Sequence, residues 1–84
     1  MTVDQQVRRA LAEHARVPVD IASLAEDADL YRAGMSSHAT VNVMIALEEE
    51  LDVEFPEHML TRSTFQSIAS IRSALVELTS ERPA

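Results

Sequence analysis

Eighty-four residues suffice for one small domain, and 46% hydrophobic content is too high for a disordered segment. The absence of cysteine excludes a disulfide scaffold, a thiol nucleophile and any cysteine-based metal site. Fourteen acidic residues against seven arginines give a net charge of −7, the reverse of what a nucleic-acid binder needs.

In chain order, the first element is an amphipathic helix from Thr2 to about Arg16. Val3, Val7, Ala10 and Leu11 recur at i, i+4, i+7 and i+8, with Arg8, Arg9 and Glu13 off the apolar stripe. Thr2 and Gln5 stand in capping-box register. Val17–Pro18 stops the helix, because the residue before a proline avoids the α region.

Residues 17–35 read as a long connection, anchored by Val19, Ile21, Leu24, Leu30 and Tyr31. Gly34 stands where a turn before the next helix calls for positive φ. A second helix is expected from Ser37 to Leu51 with Ser36 as its N-cap. Val41, Met44, Ile45, Ala46, Leu47 and Leu51 supply its apolar face, while Asn42 and Glu48 to Glu50 look outward. Pro56 opens a short helical turn through Leu60. The last helix is expected from about Thr64, with Ser63 and Gln66 in S-x-x-Q capping register and Phe65, Ile68, Ile71, Leu75 and Leu78 as its stripe.

The sequence thus describes an all-α four-helix bundle: three main helices, one short helix and a long first loop, in one domain over 1–84 with 79–84 as a frayed tail. No secretory leader is evident in MTVDQQVRRA, and no apolar run approaches the roughly 18 residues that span a membrane. A soluble, cytoplasmic protein is expected.

Catalysis by the chain itself finds little support. Ser37 and His38 are neighbours on a helix and point about 100° apart, so they do not face each other. No G-x-S-x-G elbow or phosphate-cradling glycine loop occurs, and His14, His38 and His58 fall on different elements, so neither a catalytic group nor a metal site is assigned. Between Glu26 and Glu57 stand nine acids (Glu26, Asp27, Asp29, Glu48, Glu49, Glu50, Asp52, Glu54, Glu57) and one base, Arg32. Such a run is either a plain solvated face or one that steers a basic partner. With Ser36 in the capping role, Ser37 remains as an exposed serine at a helix N-terminus, where an anionic group is stabilised.

The stretch DLYRAGMSSHATVNVMIALEEELDVEFP resembles the core of the acyl and peptidyl carrier protein superfamily, whose members read D-L-x-x-x-G-x-D-S-L before an amphipathic helix with an acidic end. Asp29, Leu30, Gly34 and Ser37 fit that motif, as do the apolar positions Val41, Met44 and Leu47, the acidic Glu48 and Glu49, and the exit Val53, Phe55 and Pro56. The resemblance implies that Ser37 receives 4′-phosphopantetheine from coenzyme A through a separate phosphopantetheinyl transferase, and that the arm holds cargo as a thioester. It also implies that Met35, His38, Val41 and Met44 make apolar contacts with partner enzymes while Glu48 and Glu49 form ion pairs. For Val41 and Met44 the other reading is core packing. Ser36 in place of Asp, and His38 in place of Leu, depart from the superfamily pattern and bear on partner choice.

D-L-Y-x-A-G-x-S-S with E-F-P-x-x-x-L-x-R-x-x-F-x-S-I is similar to stand-alone bacterial aminoacyl carrier proteins. These are loaded with small amino acids by seryl-tRNA-synthetase-like, ATP-dependent amino acid:[carrier protein] ligases. The implied partners are that ligase or another loading enzyme, the transferase and a downstream acceptor enzyme, served by a monomeric shuttle. A discrete acyl or polyketide-type carrier, and an unmodified interaction module of the same fold, are the alternatives.

Overall fold

The computed structural model describes residues 2–80 and is helical throughout its regular elements: α1 (Val3–His14), α2 (Leu30–Ala33), α3 (Ser37–Leu51) and α4 (Ile68–Ser80), with 3-10 turns at Ile21–Ser23 and Glu57–Met59. The all-α architecture is the one expected. The short helix anticipated after Pro56 is the second 3-10 turn, and α2 is an additional helical turn inside the long first loop.

α1 begins on the expected capping box. The Gln5 N–H donates to Thr2 Oγ1 at 3.1 Å and the Thr2 N–H donates to Gln5 Oε1 at 3.0 Å. The helix ends at His14 rather than Arg16, and Arg16 turns the chain with φ 56°. Proline restricts Val17, so the chain has already left helical geometry one residue earlier. Val7, Ala10 and Leu11 are buried, and α1 packs against both α3 and α4.

The loop from 17 to 36 is held from three sides. From α1, Arg8 donates to the carbonyls of Ile21 at 2.8 Å and Leu24 at 2.9 Å. From below, Ile21 and Leu30 enter the core. From α4, the Leu30 N–H donates to the Gln66 carbonyl at 2.7 Å, the Ala69 N–H to the Glu26 carbonyl at 2.9 Å, and the Gln66 amide to Asp29 at 3.2 Å. Asp29 also caps α2, accepting from the N–H groups of Tyr31 and Arg32. Gly34 closes α2 at φ 119°, and a Cβ there would lie 3.3 Å from Pro18 Cδ. The expected glycine turn is therefore required by conformation, and a side chain there would also press on Pro18.

α3 has the expected bounds. Ser36 caps it through a 3.0 Å hydrogen bond from the Ala39 N–H, and Asp52 leaves it at φ 52°. Its buried side is Ala39, Val43 and Leu47, whereas Val41 and Ile45 are 48% and 44% exposed. That corrects the apolar face read from sequence. Residues 39–47 are apolar on nearly every side, so periodicity alone does not choose the inward stripe.

α4 starts at Ile68, four residues after the expected position. The capping box forms between Ser67 and Ser70, each N–H donating to the other's Oγ at 3.0 to 3.1 Å. Gln66, expected to close a box with Ser63, is instead engaged by Asp29 and Leu30. Residues 61–66 stay in a turn that buries Phe65 against Phe55, with ring centroids 5.3 Å apart. The helix continues through Ser80, so residues 79 and 80 of the expected frayed tail are helical, and the ERPA tail lies outside the described residues.

Arg72 ties α4 to α1 and the loop, donating to Asp4 at 3.0 Å and to Glu26 at 2.7 Å. Asp4 sits below the ordinary carboxylate range because Arg8 and Arg72 hydrogen-bond its charged form against an opposing effect of desolvation. Glu26 is likewise lowered, chiefly by Arg72. Both carboxyls bind protons less readily folded than unfolded. Their contribution is complete above unfolded values near 4 and fades as pH falls through the folded values. Urea unfolding at neutral pH and near pH 3 should therefore show lower stability in acid, with a smaller difference in Arg72→Gln. These pairs are largely solvated, so the effect is modest.

Candidate functional site

Ser37 is the first residue of α3 and is exposed. The N-cap role belongs to Ser36, whose Oγ accepts the Ala39 N–H. The turn that delivers Ser37 is built from Gly34 and Met35. The Met35 N–H donates to the Leu30 carbonyl at 3.0 Å, and its side chain is buried.

Beside Ser37 runs a groove of about 330 Å³ between α3 and the turn after the second 3-10 segment. Ser37, Thr40, Val41 and Met44 form one wall, Leu60, Thr61, Arg62 and Phe65 the other, and Tyr31 closes an end. Thr40 donates to the Ser36 carbonyl at 2.9 Å and lies 3.4 Å from the Tyr31 hydroxyl. The Arg62 guanidinium stacks over the Tyr31 ring, 4.2 Å from its centroid.

The residues expected to meet partners separate into three groups. His38, Val41 and Glu49 are exposed. Met44 is half-buried, packed against the core while lining the groove, so the core reading holds in part for Met44 and fails for the exposed Val41. Met35 and Glu48 serve the fold instead. Met35 is 4% exposed and unavailable to a partner as it stands. Glu48, expected to look outward, is half-buried and accepts the Phe55 N–H at 2.8 Å, fastening the segment that leaves α3.

Two exposed apolar residues belong beside Val41 on the outer surface: Ile45, one turn along α3, and Leu60 across the groove. Periodicity places Ile45 on the core face, although the spacing His38, Val41, Ile45, Glu49 traces an outer stripe. Leu60 carries no periodic signal, and the Tyr31–Arg62 pair joins residues too far apart in sequence to be read together. No helix among the described residues is long and apolar enough to cross a membrane.

The arrangement suits a covalent anionic attachment. An exposed hydroxyl opens a 15-residue helix, its capping duty is taken by its neighbour, and a guanidinium borders the adjoining groove.

Residues 5–72 match the family described as "Phosphopantetheine attachment site". An aminoacyl carrier protein of Agrobacterium fabrum (strain C58 / ATCC 33970) is 41% identical over 69 residues, covering 82% of this chain and 83% of that protein. The fold is similar to a chain in the crystal structure of an engineered Bradyrhizobium japonicum glycine:[carrier protein] ligase complexed with carrier protein from Agrobacterium tumefaciens and ATP. There the TM-score is 0.87 at 37% identity, with 90% of this chain and 99% of that chain covered. The corresponding complex with AMP gives a TM-score of 0.84 at 38% identity, covering 87% and 97%. The near-complete coverage of so small a chain marks the match as the carrier component and not the ligase. With its serine-led α3 and a family match spanning most of its length, the chain belongs to the phosphopantetheine-attachment family of carrier proteins.

Proposed function

We propose that the protein is an aminoacyl carrier whose 4′-phosphopantetheine is attached at Ser37, in a single domain that acts as a monomeric cytoplasmic shuttle. Its partners are a phosphopantetheinyl transferase, an ATP-dependent amino acid:[carrier protein] ligase and a downstream acceptor enzyme. The observation that carries the reading is the division of labour between Ser36, which caps α3, and Ser37, which opens it with an exposed side chain. The aminoacyl cargo is supported by 41% identity to an aminoacyl carrier across most of both chains.

When bound, the group supplies a terminal thiol that carries the amino acid as a thioester. The chain's own residues hold, orient and present it. The N-terminus of α3 stabilises the phosphodiester charge by about 0.3–1 kcal/mol. Val41, Ile45 and Leu60 offer partner enzymes an exposed apolar surface. Glu49, Glu50, Glu54 and Glu57 are exposed and steer a basic partner surface, setting approach and orientation more than affinity.

The test is loading of the phosphopantetheinylated protein by a glycine:[carrier protein] ligase with ATP and small amino acids, followed by intact mass. An aminoacyl-sized gain removable by neutral hydroxylamine is expected. Ile45→Asp should lower loading kcat/KM roughly tenfold, the equivalent of about 1.4 kcal/mol at an apolar contact, with little change in thermal stability. Failure of every small amino acid, alongside loading by acyl donors, would replace this reading with an acyl carrier.

A further inference from the structure

We propose that the docking surface beside Ser37 is bipolar, and that the loading ligase meets it with a carboxylate set against Arg62 at the Ser37 end and a basic group against Glu49 at the other. The inference rests on the aminoacyl carrier reading and adds to it a partner feature of the sign opposite to the one that the net charge of −7 calls for.

The positive end is built by residues around the attachment serine. Arg62 is exposed and borders the groove that Ser37 lines. One face of its guanidinium lies on the Tyr31 ring, 4.2 Å from the centroid, which holds the group in place and leaves its in-plane N–H donors for another acceptor. Asp29 feels the Arg62 charge, but its oxygens already accept from the Tyr31 and Arg32 N–H groups and the Gln66 amide. Among the described residues Arg62 forms no ion pair, whereas Arg8, Arg9 and Arg72 are each paired with carboxylates. Arg32, next to Tyr31 on α2, is a second exposed cation on this side.

The negative end is set by α3, against its own dipole. A helix is stabilised by acids in its first turn and bases in its last. α3 has no acid in its first turn and no base in its last, and runs out instead through Glu48, Glu49 and Glu50. Glu48 is engaged by the Phe55 N–H, while Glu49 and Glu50 are exposed. Side-chain charge therefore adds to the helix dipole, positive at Ser37 and negative at Glu49, about 18 Å apart along the helix at a rise of about 1.5 Å per residue. Val41 and Ile45 lie exposed between the two ends. An apolar strip with opposite charges at its ends admits a partner in one direction only, and a partner surface that is basic throughout is repelled at Arg62. A carboxylate suits Arg62 because it accepts two parallel N–H groups from the guanidinium.

The experiment loads the phosphopantetheinylated protein with a glycine:[carrier protein] ligase, ATP and small amino acids, at low and at high salt. Arg62→Glu should raise the KM for the carrier about tenfold at low salt with kcat unchanged, and Glu49→Arg should do the same. Both effects should shrink near 1 M salt, where charges act over only about 3 Å. Ser73→Glu, on the exposed side of α4, adds a negative charge away from this surface and should load like wild type. Unmodified Arg62→Glu should also compete about tenfold less well than unmodified wild type, a readout that does not involve the arm. The chain has no lysine, so Arg62→Lys introduces a single side-chain ammonium that a carbodiimide joins to a nearby carboxylate as an amide. The cross-linked peptide should contain an Asp or Glu of the ligase. Arg62→Glu that loads like Ser73→Glu, or that is impaired only in the modified form, overturns this inference, as does a lysine that couples to Asp29 alone. Loading of wild type in the same assays leaves the aminoacyl reading intact. Wild-type protein that no small amino acid loads overturns both.

Discussion

Replacing Ser37 by alanine should abolish the mass gain produced by coenzyme A and a phosphopantetheinyl transferase, whereas Ser36→Ala should retain it and lose stability instead. The two serines are adjacent, yet helix geometry gives them different work. Ser36 has extended backbone angles (φ −84°, ψ 165°) and its Oγ accepts the Ala39 N–H, one of the donors that the first turn of a helix cannot satisfy internally. Removing that acceptor costs about 1 kcal/mol. Ser37 stands one residue further on, at the mouth of the groove. Its hydroxyl is not required by the cap, so Ser37→Ala should unfold with nearly the wild-type midpoint. Intact mass and thermal unfolding of both variants separate the roles. Modification lost in Ser36→Ala and kept in Ser37→Ala would move the attachment point by one residue and require a different entry to α3.

Legibility from sequence tracks the range of the interactions. The Thr2–Gln5 box, the Ser36 cap and the Gly34 turn depend on neighbours within a few residues, and each stands where the sequence placed it. The start of α4 depends on distant partners. Ser63 and Gln66 carry the local pattern of a cap, but Asp29 and Leu30 take Gln66 from across the fold, and Ser67 with Ser70 opens the helix instead. Glu48 is a similar case: its place in an acidic run suggests solvent, while the backbone N–H of Phe55 recruits it. Met35 reads as available because it stands two residues before the exposed Ser37, yet the turn at Gly34 directs it inward. The groove residues Tyr31, Leu60 and Arg62 come together only through the tertiary fold. The carrier function itself is legible through family resemblance; composition and periodicity supply the helices and the exposed serine.

The orientation of α3 decides which of its apolar residues stabilise the bundle, and Leu47→Ala should make that visible. Leu47 is fully buried on the stripe with Ala39 and Val43. Truncating such a residue removes its transfer free energy and leaves a cavity, at a cost of about 2–5 kcal/mol. Small domains have total stabilities at the low end of about 5–15 kcal/mol, so a large share of the folding free energy is at stake. Each kcal/mol moves the melting temperature of a domain this size by about 4–8 °C, so a fall of at least about 8 °C is expected. Val41→Ala, on the opposite face and 48% exposed, should change stability by no more than about 0.5 kcal/mol. Loading should respond the other way round, with Val41→Ala slowing the ligase reaction while Leu47→Ala, assayed well below its melting temperature, stays close to wild type. Val43 supplies the control, because it shares the buried stripe and Val43→Ala should behave like Leu47→Ala. Equal destabilisation by Val41→Ala and Leu47→Ala would mean that α3 is rotated about its axis, and the outer face assigned to partners would then have to be redrawn around a different set of side chains.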